Sequence, residues 1–569
     1  MPQDEVSAAF RQNPLVDTDY TFAKSPDGRY WYMGPSSSWS FCRRVLALIG
    51  KHMPEANCPP DPWNLDGVAF KLQWKPLGPD QAPEVTNLPP LDYALFLFNN
   101  VKFYFGPLFY LIDESDYVRN LHEFYENPAT KASESRLWYA QYLLILAFGK
   151  AFTGQTAASC SPAGCQYAAR AMSLLPGLGL NPSPLLSVQA LTLAAVYFQA
   201  IDMRVAAFQH IGQALRSCVI EGWHRHMPED VVGAQHSHRC NITFWVVYML
   251  DREFSALIGA PSSIRDEDIT AKLPSQTSDS LDSWNMTLHV RLSRLMARIL
   301  STVYGVGQGF DYSLMESMQN ILRDLADLSR DLNALLDTHF QGSVSKASRT
   351  AIWLILSYHH CAVLTTRPLV MCALHMHIDQ VGRNSLRSIT LSPQVASFMQ
   401  SCVDSAQNIL RLLRILCDED LMDAFLPFQL EDAFSSAFVL QLLRAIAPWL
   451  FPDDTWSHDV ECILNRMISK GNVVAPMRKV ELNQLAQIMT PLTSGALHFQ
   501  SPPQQHTNIN DEGGNTDNVP SAVVPDQEGE GESSWDLFMG NPMVGLDQRE
   551  ILDLAARLDV DSLMHTVGI

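Results

Sequence analysis

The 569-residue sequence predicts an all-α fold: a large multi-helical body, an irregular N-terminal lead-in and a disordered acidic C-terminal tail. Three observations predict it. Apolar residues recur three and four positions apart through most of residues 93–500, the spacing of one helical face. Strand-like alternation is rare. Near residue 500 the composition turns polar and acidic. The chain therefore divides into a lead-in (1–92), a helical body (93–500) and a tail (501–569). With 47% hydrophobic residues the chain can bury a large core and is too apolar to be disordered throughout.

In the lead-in, an aromatic patch at Tyr30, Trp31 and Tyr32 precedes a turn at Gly34-Pro35. Serines 36–38 and 40 can cap a helix whose apolar face carries Phe41, Val45, Leu48 and Ile49. Arg43 and Arg44 are expected on its wet side. Residues 54–92 are dense in Pro, Gly and Asp, and read as irregular wrapping. Helical periodicity then marks 93–112, 116–126, 134–152, 163–175, 185–201, 203–221 and 239–257. It continues over 283–304, 312–339, 346–379, 393–417, 431–448 and 458–489. Breaks such as Pro176-Gly177 and Pro182-Ser183-Pro184 separate the segments. The apolar run from Leu137 to Phe148 falls short of the about twenty residues a membrane span needs, so no membrane partner is expected.

The tail holds 13 acidic residues against two basic ones, over half of the chain's net charge of −20. Composition predicts that residues 501–532 are disordered. Trp535, Leu537 and Phe538 follow among acids. Ile551, Leu554 and Leu558 can then line one face of a short acidic helix. Such a segment is too short and too charged to be stable alone, but it can fold into a partner's groove.

The acidic balance and the lack of Lys/Arg-rich runs exclude generic nucleic-acid binding by the whole surface. Eleven scattered cysteines, with no basic-then-apolar leader at the N-terminus, point to a reducing compartment. His224, His226, His236 and His238, with Cys240 close by, have a spacing that could chelate metal from an extended chain. The plainer reading is a polar connection between two helices. His359 and His360 beside Cys361 point apart on a helix. Cys160 and Cys165 lack the tight C-x-x-C spacing. No G-x-S-x-G elbow or clustered acidic motif marks an enzyme, and neither a metal nor a catalytic residue is assigned.

The densest stretch runs from Trp245 to Pro274. Trp245, Tyr248, Leu250, Phe254 and Leu257 supply buried helical faces, with Asp251 and Arg252 as charges among them. Arg252 can lay its stem along apolar surface and bring its guanidinium to a carboxylate or helix end. Gly259 permits a left-handed helix stop, and Pro261 prevents continuation. Asp266, Glu267 and Asp268 form a polar turn, and Ile269 and Leu273 anchor an extended exit. The stretch reads as a rigid helix–turn–extended corner, with either a structural ion pair or an effector contact at Arg252.

That corner resembles the middle homology region of fungal zinc-cluster transcription factors, the fungal-specific transcription factor domain. The matching residues are Trp245, Tyr248, Leu250, Asp251, Arg252, Leu257, Gly259, Pro261, Ile264, Asp268, Ile269, Leu273 and Pro274. Residues 188–226, the Arg367-Pro368 helix, residues 402–413 and the YWYMGPSSSWSF lead-in add to the likeness, which covers roughly 28–450. The resemblance implies a nuclear regulator of RNA polymerase II transcription in a fungus, of the pathway-specific kind. The tail looks like an activation region that contacts coactivators or the transcription machinery. Members usually bind two zinc ions through six N-terminal cysteines and place a short helix in the DNA major groove. This sequence contains no such cysteine pattern, so neither zinc nor direct DNA binding is expected of it. A homodimer, or a heterodimer with a zinc-cluster factor, is the implied route to DNA. The alternative readings are a scaffold or corepressor acting through such a factor, and a helical metal-dependent enzyme.

Overall fold

The computed structural model describes residues 13–16, 22–24, 28–32, 34–53, 58, 66–154, 161–175, 183–278, 280–305, 312–339, 349–382, 393–451 and 454–494. Helix α1 spans Ser38–His52. Ser37 caps it as its serines predict, accepting from the Ser40 backbone N–H. Before it, Phe22–Lys24 (β1) and Tyr30–Tyr32 (β2) form a short antiparallel hairpin that the sequence reading did not anticipate. Phe22 and Tyr32 face each other across it with ring centroids 5.8 Å apart. Residues 68–90 form neither helix nor strand. Buried backbone needs partners, and this segment finds them in side chains of neighbouring helices. Arg136 donates to the carbonyls of Gly78, Pro79 and Gln81, and Arg170 donates to those of Glu84 and Thr86.

The helices that follow are α2 (Leu91–Phe105), α3 (Glu114–Glu126), α4 (Pro128–Glu134), α5 (Arg136–Phe152), α6 (Cys165–Leu174), α7 (Pro184–Ala200) and α8 (Arg204–Ile220). A short α9 (Glu229–Val232), the long α10 (Ala234–Ile258) and a short α11 (Pro274–Thr277) come next. The last seven are α12 (Leu281–Thr302), α13 (Tyr312–His339), α14 (Arg349–Gly382), α15 (Pro393–Asp418), α16 (Pro427–Ile446), α17 (Thr455–Ser469) and α18 (Ala475–Ser494). The fold is all-α and multi-helical.

Three expectations need correction. The helix expected over 93–112 stops at Phe105, because Gly106 takes a φ of 52° and Pro107 opens a 3-10 turn to Leu111. The helix expected over 458–489 is two helices. Gly471 (φ 90°) ends α17, and the Asn472 side chain accepts from the N–H groups of Val474 and Ala475 at 2.8 Å to start α18. Arg44 was expected to be wet and is 2% exposed, donating to the Pro14 carbonyl at 3.1 Å.

Two apolar cores result. One gathers α2–α8 and α10, including the aromatic cluster of Phe124, Trp138, Tyr139 and Tyr142. The other gathers α1 and α12–α18. Within it, residues 349–378 of α14 are long and apolar enough to cross a bilayer, but 83% of their most apolar window is buried inside the bundle. That burial marks a core helix of the bundle.

The lead-in is clamped across these cores. Gly34 lies against Gly259, and a Cβ on Gly259 would sit 2.3–2.4 Å from Gly34 backbone atoms. Ser36 donates to the Ala256 carbonyl at 3.0 Å, and Arg367 donates to the Ser36 carbonyl at 3.1 Å. Deeper in, Arg478 pairs with Glu481 at 2.7 Å and lies 3.9 Å from Asp202, which Arg204 also holds at 2.8 Å. All four charges are almost fully buried. Removing one partner of such a group strands the others and costs about 3–5 kcal/mol.

Gly259→Ala is expected to lower Tm more than Gly222→Ala. Both glycines have positive φ (76° and 75°), but a Cβ at Gly222 meets nothing within 4 Å. Gly222→Ala should cost only the left-handed strain of about 1–2 kcal/mol. Equal losses in thermal unfolding would show that the Gly34 contact is absent in solution.

Candidate functional site

Helix α10 carries the corner. Its Phe244–Trp245–Tyr248 face is fully buried, and the Trp245 and Tyr248 rings meet edge to face at 5.2 Å. Burying two such rings contributes several kcal/mol, which is enough to hold costly charges nearby. Asp251 is fully buried and Arg252 is 1% exposed. Arg252 sits over the Tyr248 ring at 3.9 Å. Its guanidinium donates to Asp251 and Asp266 at 3.1 Å each, and to the Ile264 carbonyl at 2.6 Å. Tyr248 donates its hydroxyl to the same Asp266 oxygen at 2.6 Å. Asp251 accepts from the Ser263 hydroxyl at 2.7 Å and from its backbone N–H at 3.2 Å.

Helix α10 ends at Gly259 in the left-handed conformation, as read from sequence. The exposed Pro261 and half-buried Ile264 follow, and Asp266–Asp268 form a 3-10 turn. The exit is fixed to the body. The Lys272 carbonyl accepts from Trp245 Nε1 at 2.9 Å, and the His224 carbonyl accepts from the Thr270 and Ala271 N–H groups. Leu273 is half-buried, and the buried Pro274 opens α11. Tyr248, Asp251, Arg252 and Ile264 thus meet at one hydrogen-bonded corner, with Gly259 ending the helix beyond it, whereas Leu273 and Pro274 lie at the other end of the exit, next to the Lys272 carbonyl that Trp245 holds. Asp268 stands apart on the surface, 4.0 Å from Arg225.

The metal reading of the histidines is corrected by α10. It begins at Ala234, five residues before the sequence reading placed it, so His236 and His238 lie on a helix. Residues two apart on a helix point to different sides and cannot share an ion. His236 instead lies 3.4 Å from the Cys240 sulfur one turn on. Among the described residues no group of three His, Cys, Asp or Glu side chains could hold a metal.

The other side of α10 borders something the sequence reading missed. A cavity of about 60 Å³ opens where the two cores meet, between α10, α12, α14 and α16. Glu253 of α10, His289 of α12, His360 of α14 and Asp432 of α16 line it. His360 Nδ1 lies 3.1 Å from Asp432. Burial, with Asp432 as a like charge, pushes the Glu253 carboxyl well above its usual value. Burial likewise raises Asp432, against the lowering effect of His360. Burial lowers His289 to about 4, so its imidazole is neutral at physiological pH. Four side chains from four helices have no shared spacing in sequence. The one available signal was Glu253, an acid inside an apolar helix.

The tail residues Trp535, Leu537, Phe538, Ile551, Leu554 and Leu558 lie outside the described residues.

Residues 96–338 match the family model of the fungal-specific transcription factor domain. The chain is 22% identical over 403 residues to an uncharacterized transcriptional regulatory protein of Schizosaccharomyces pombe, covering 68% of this chain and 48% of that protein. It is 23% identical over 423 residues to the transcriptional activator protein acu-15 of Neurospora crassa, covering 69% and 42%. It is 23% identical over 314 residues to the thiamine repressible genes regulatory protein thi1 of S. pombe, covering 53% and 39%. The chain thus spans less than half the length of each. No solved structure matches it.

Two outcomes follow from this geometry. Arg252→Met strands Asp251 and should cost about 3–5 kcal/mol in denaturant unfolding. Ser263→Ala removes one neutral donor and should cost about 1–2 kcal/mol. A small loss for Arg252→Met would show that the guanidinium is not buried. For Glu253, the raised folded pKa means that its contribution is complete below the ordinary value of 4.5 and lost as pH rises through the raised value. Between about pH 5 and about pH 8, Glu253→Gln should gain Tm relative to the parent as pH rises. An unchanged difference across that range contradicts the assignment.

Proposed function

We propose that this chain, whose residues 96–338 are a fungal-specific transcription factor domain, is a nuclear regulator of RNA polymerase II transcription of the pathway-specific kind. Its helical body governs an acidic activating tail. The single observation that carries the reading is the packed corner of α10. Tyr248, Asp251, Arg252 and Ile264, four residues of the resemblance, share one hydrogen-bonded constellation there with Ser263 and Asp266, and they serve packing and charge pairing rather than a reaction. Three relatives with names that describe transcriptional regulation support the same reading.

The tail enters through its composition. Residues 501–569 hold 13 acids, and Trp535, Leu537 and Phe538 stand among them. Acids keep such a segment solvated and steer it to basic coactivator surfaces, where the large apolar side chains supply the binding energy. The chain pairs with a second copy or with a zinc-cluster factor, and no metal cofactor is assigned to this stretch.

The test is a reporter gene with residues 501–569 tethered to a heterologous DNA-binding domain. Output above a scrambled acidic control is expected. Trp535→Ala, Leu537→Ala and Phe538→Ala together should remove most of it. Output no higher than the scrambled control would reject activation and favour the scaffold or corepressor reading, which shares the fold and does not activate.

A further inference from the structure

We propose that the cavity at the seam of the two cores binds a small protonated amine. The proposal deepens the regulatory reading by naming an effector class for the same helix, and it rests on that reading for its biological meaning only.

The polar groups of the wall are matched to N–H donors. Glu253 is half-buried at the cavity wall and has no hydrogen bond or ion pair among the described residues. Among the described residues, Asp432 meets only His360. His289 is 5% exposed and faces a carbonyl, that of Thr350, at 3.1 Å through Nε2. A carbonyl can only accept, so Nε2 carries the proton. The neutral ring therefore presents Nδ1 as an acceptor, and Nδ1 has no partner among the described residues. Three acceptors from three helices thus border one cavity, and an ammonium group offers three donors.

The remaining charged groups at the wall have their charges paired, although the buried Nε–H of Arg252 has no acceptor among the described residues. Arg252 is held by Asp251 and Asp266. Glu431 accepts from Ser38 and lies 4.0 Å from Arg478. Glu253 and Asp432 repel one another, and a cation between them relieves that repulsion. The rest of the wall suits the carbon part of an amine. Leu292, Met296, Trp353 and Phe428 are apolar, and the Trp353 and Phe428 rings lie 4.3 Å apart. A volume of about 60 Å³ admits only a few non-hydrogen atoms, so the ligand is a short amine or the head of a longer one that leaves by the half-buried rim at Met249 and Leu257. Its position gives such a ligand leverage. It touches α10, α12, α14 and α16 at once, and so favours one relative placement of the two cores.

The experiment titrates the purified full chain with n-propylammonium chloride, reading Tm and heat of binding. Propan-1-ol and sodium chloride serve as controls for size and ionic strength. A saturable rise in Tm with propylammonium alone is expected. Affinity should increase with pH, because binding requires the ionised Glu253. Glu253→Gln keeps the side-chain shape and removes a buried charge, so it should fold and bind roughly ten- to hundredfold more weakly. Absence of saturable binding, or equal binding by Glu253→Gln, overturns the proposal. Because the readout is direct binding, that result leaves the reporter test untouched, and a failed reporter leaves the binding result untouched.

Discussion

A guanidinium without water must be surrounded by acceptors, and Arg252 imposes that demand on the middle of this protein. Its stem is held by the buried face of α10 and its head lies over Tyr248, so the partners must come to it. Asp251 comes from the same helix, and Ile264 and Asp266 come from the chain that leaves it. The segment after Gly259 is consequently fixed in place although it forms little regular structure. The same corner receives the lead-in, because the close approach of Gly34 requires a glycine at the end of α10. One buried cation thus sets where a helix ends, how the chain leaves it and what docks on its end.

The corner also lies where the two apolar cores meet. Buried polar pairs recur along that seam, at Arg367 with Ser36 and Ser435, and at Arg478 with Glu481, Asp202 and Glu431. Apolar packing is non-directional, whereas these contacts have defined geometry. They act as registration between two halves that hydrophobic burial alone would leave free to shift. Glu253, without a partner among the described residues, lies on the same seam, at a place where the registration is incomplete.

The helical body was legible because an apolar face or a long apolar run marks each of its longer helices, as in Glu114–Glu126 and Pro184–Ala200. The corner was legible because Gly259, Pro261 and the Asp251-Arg252 pair each carry a local signal for a stop, a break and a buried charge. Other features needed tertiary contacts. The wet side expected for Arg44 is covered by Pro14, which no local pattern announces. Glycines 106 and 471 break helices that periodicity alone carries through. His236 and His238 read as extended chain until α10 proved to begin at Ala234. The cavity was invisible because Glu253, His289, His360 and Asp432 belong to four separate helices.

The most direct measurement of the central claim is native-state amide hydrogen exchange over residues 259–274. The account predicts slow exchange at Ser263, whose N–H is held by Asp251, and at Thr270 and Ala271, held by the His224 carbonyl, with the exposed Arg265 exchanging faster. Exchange at Ser263, Thr270 and Ala271 as fast as in an unstructured peptide would contradict a corner organised by a buried Arg252.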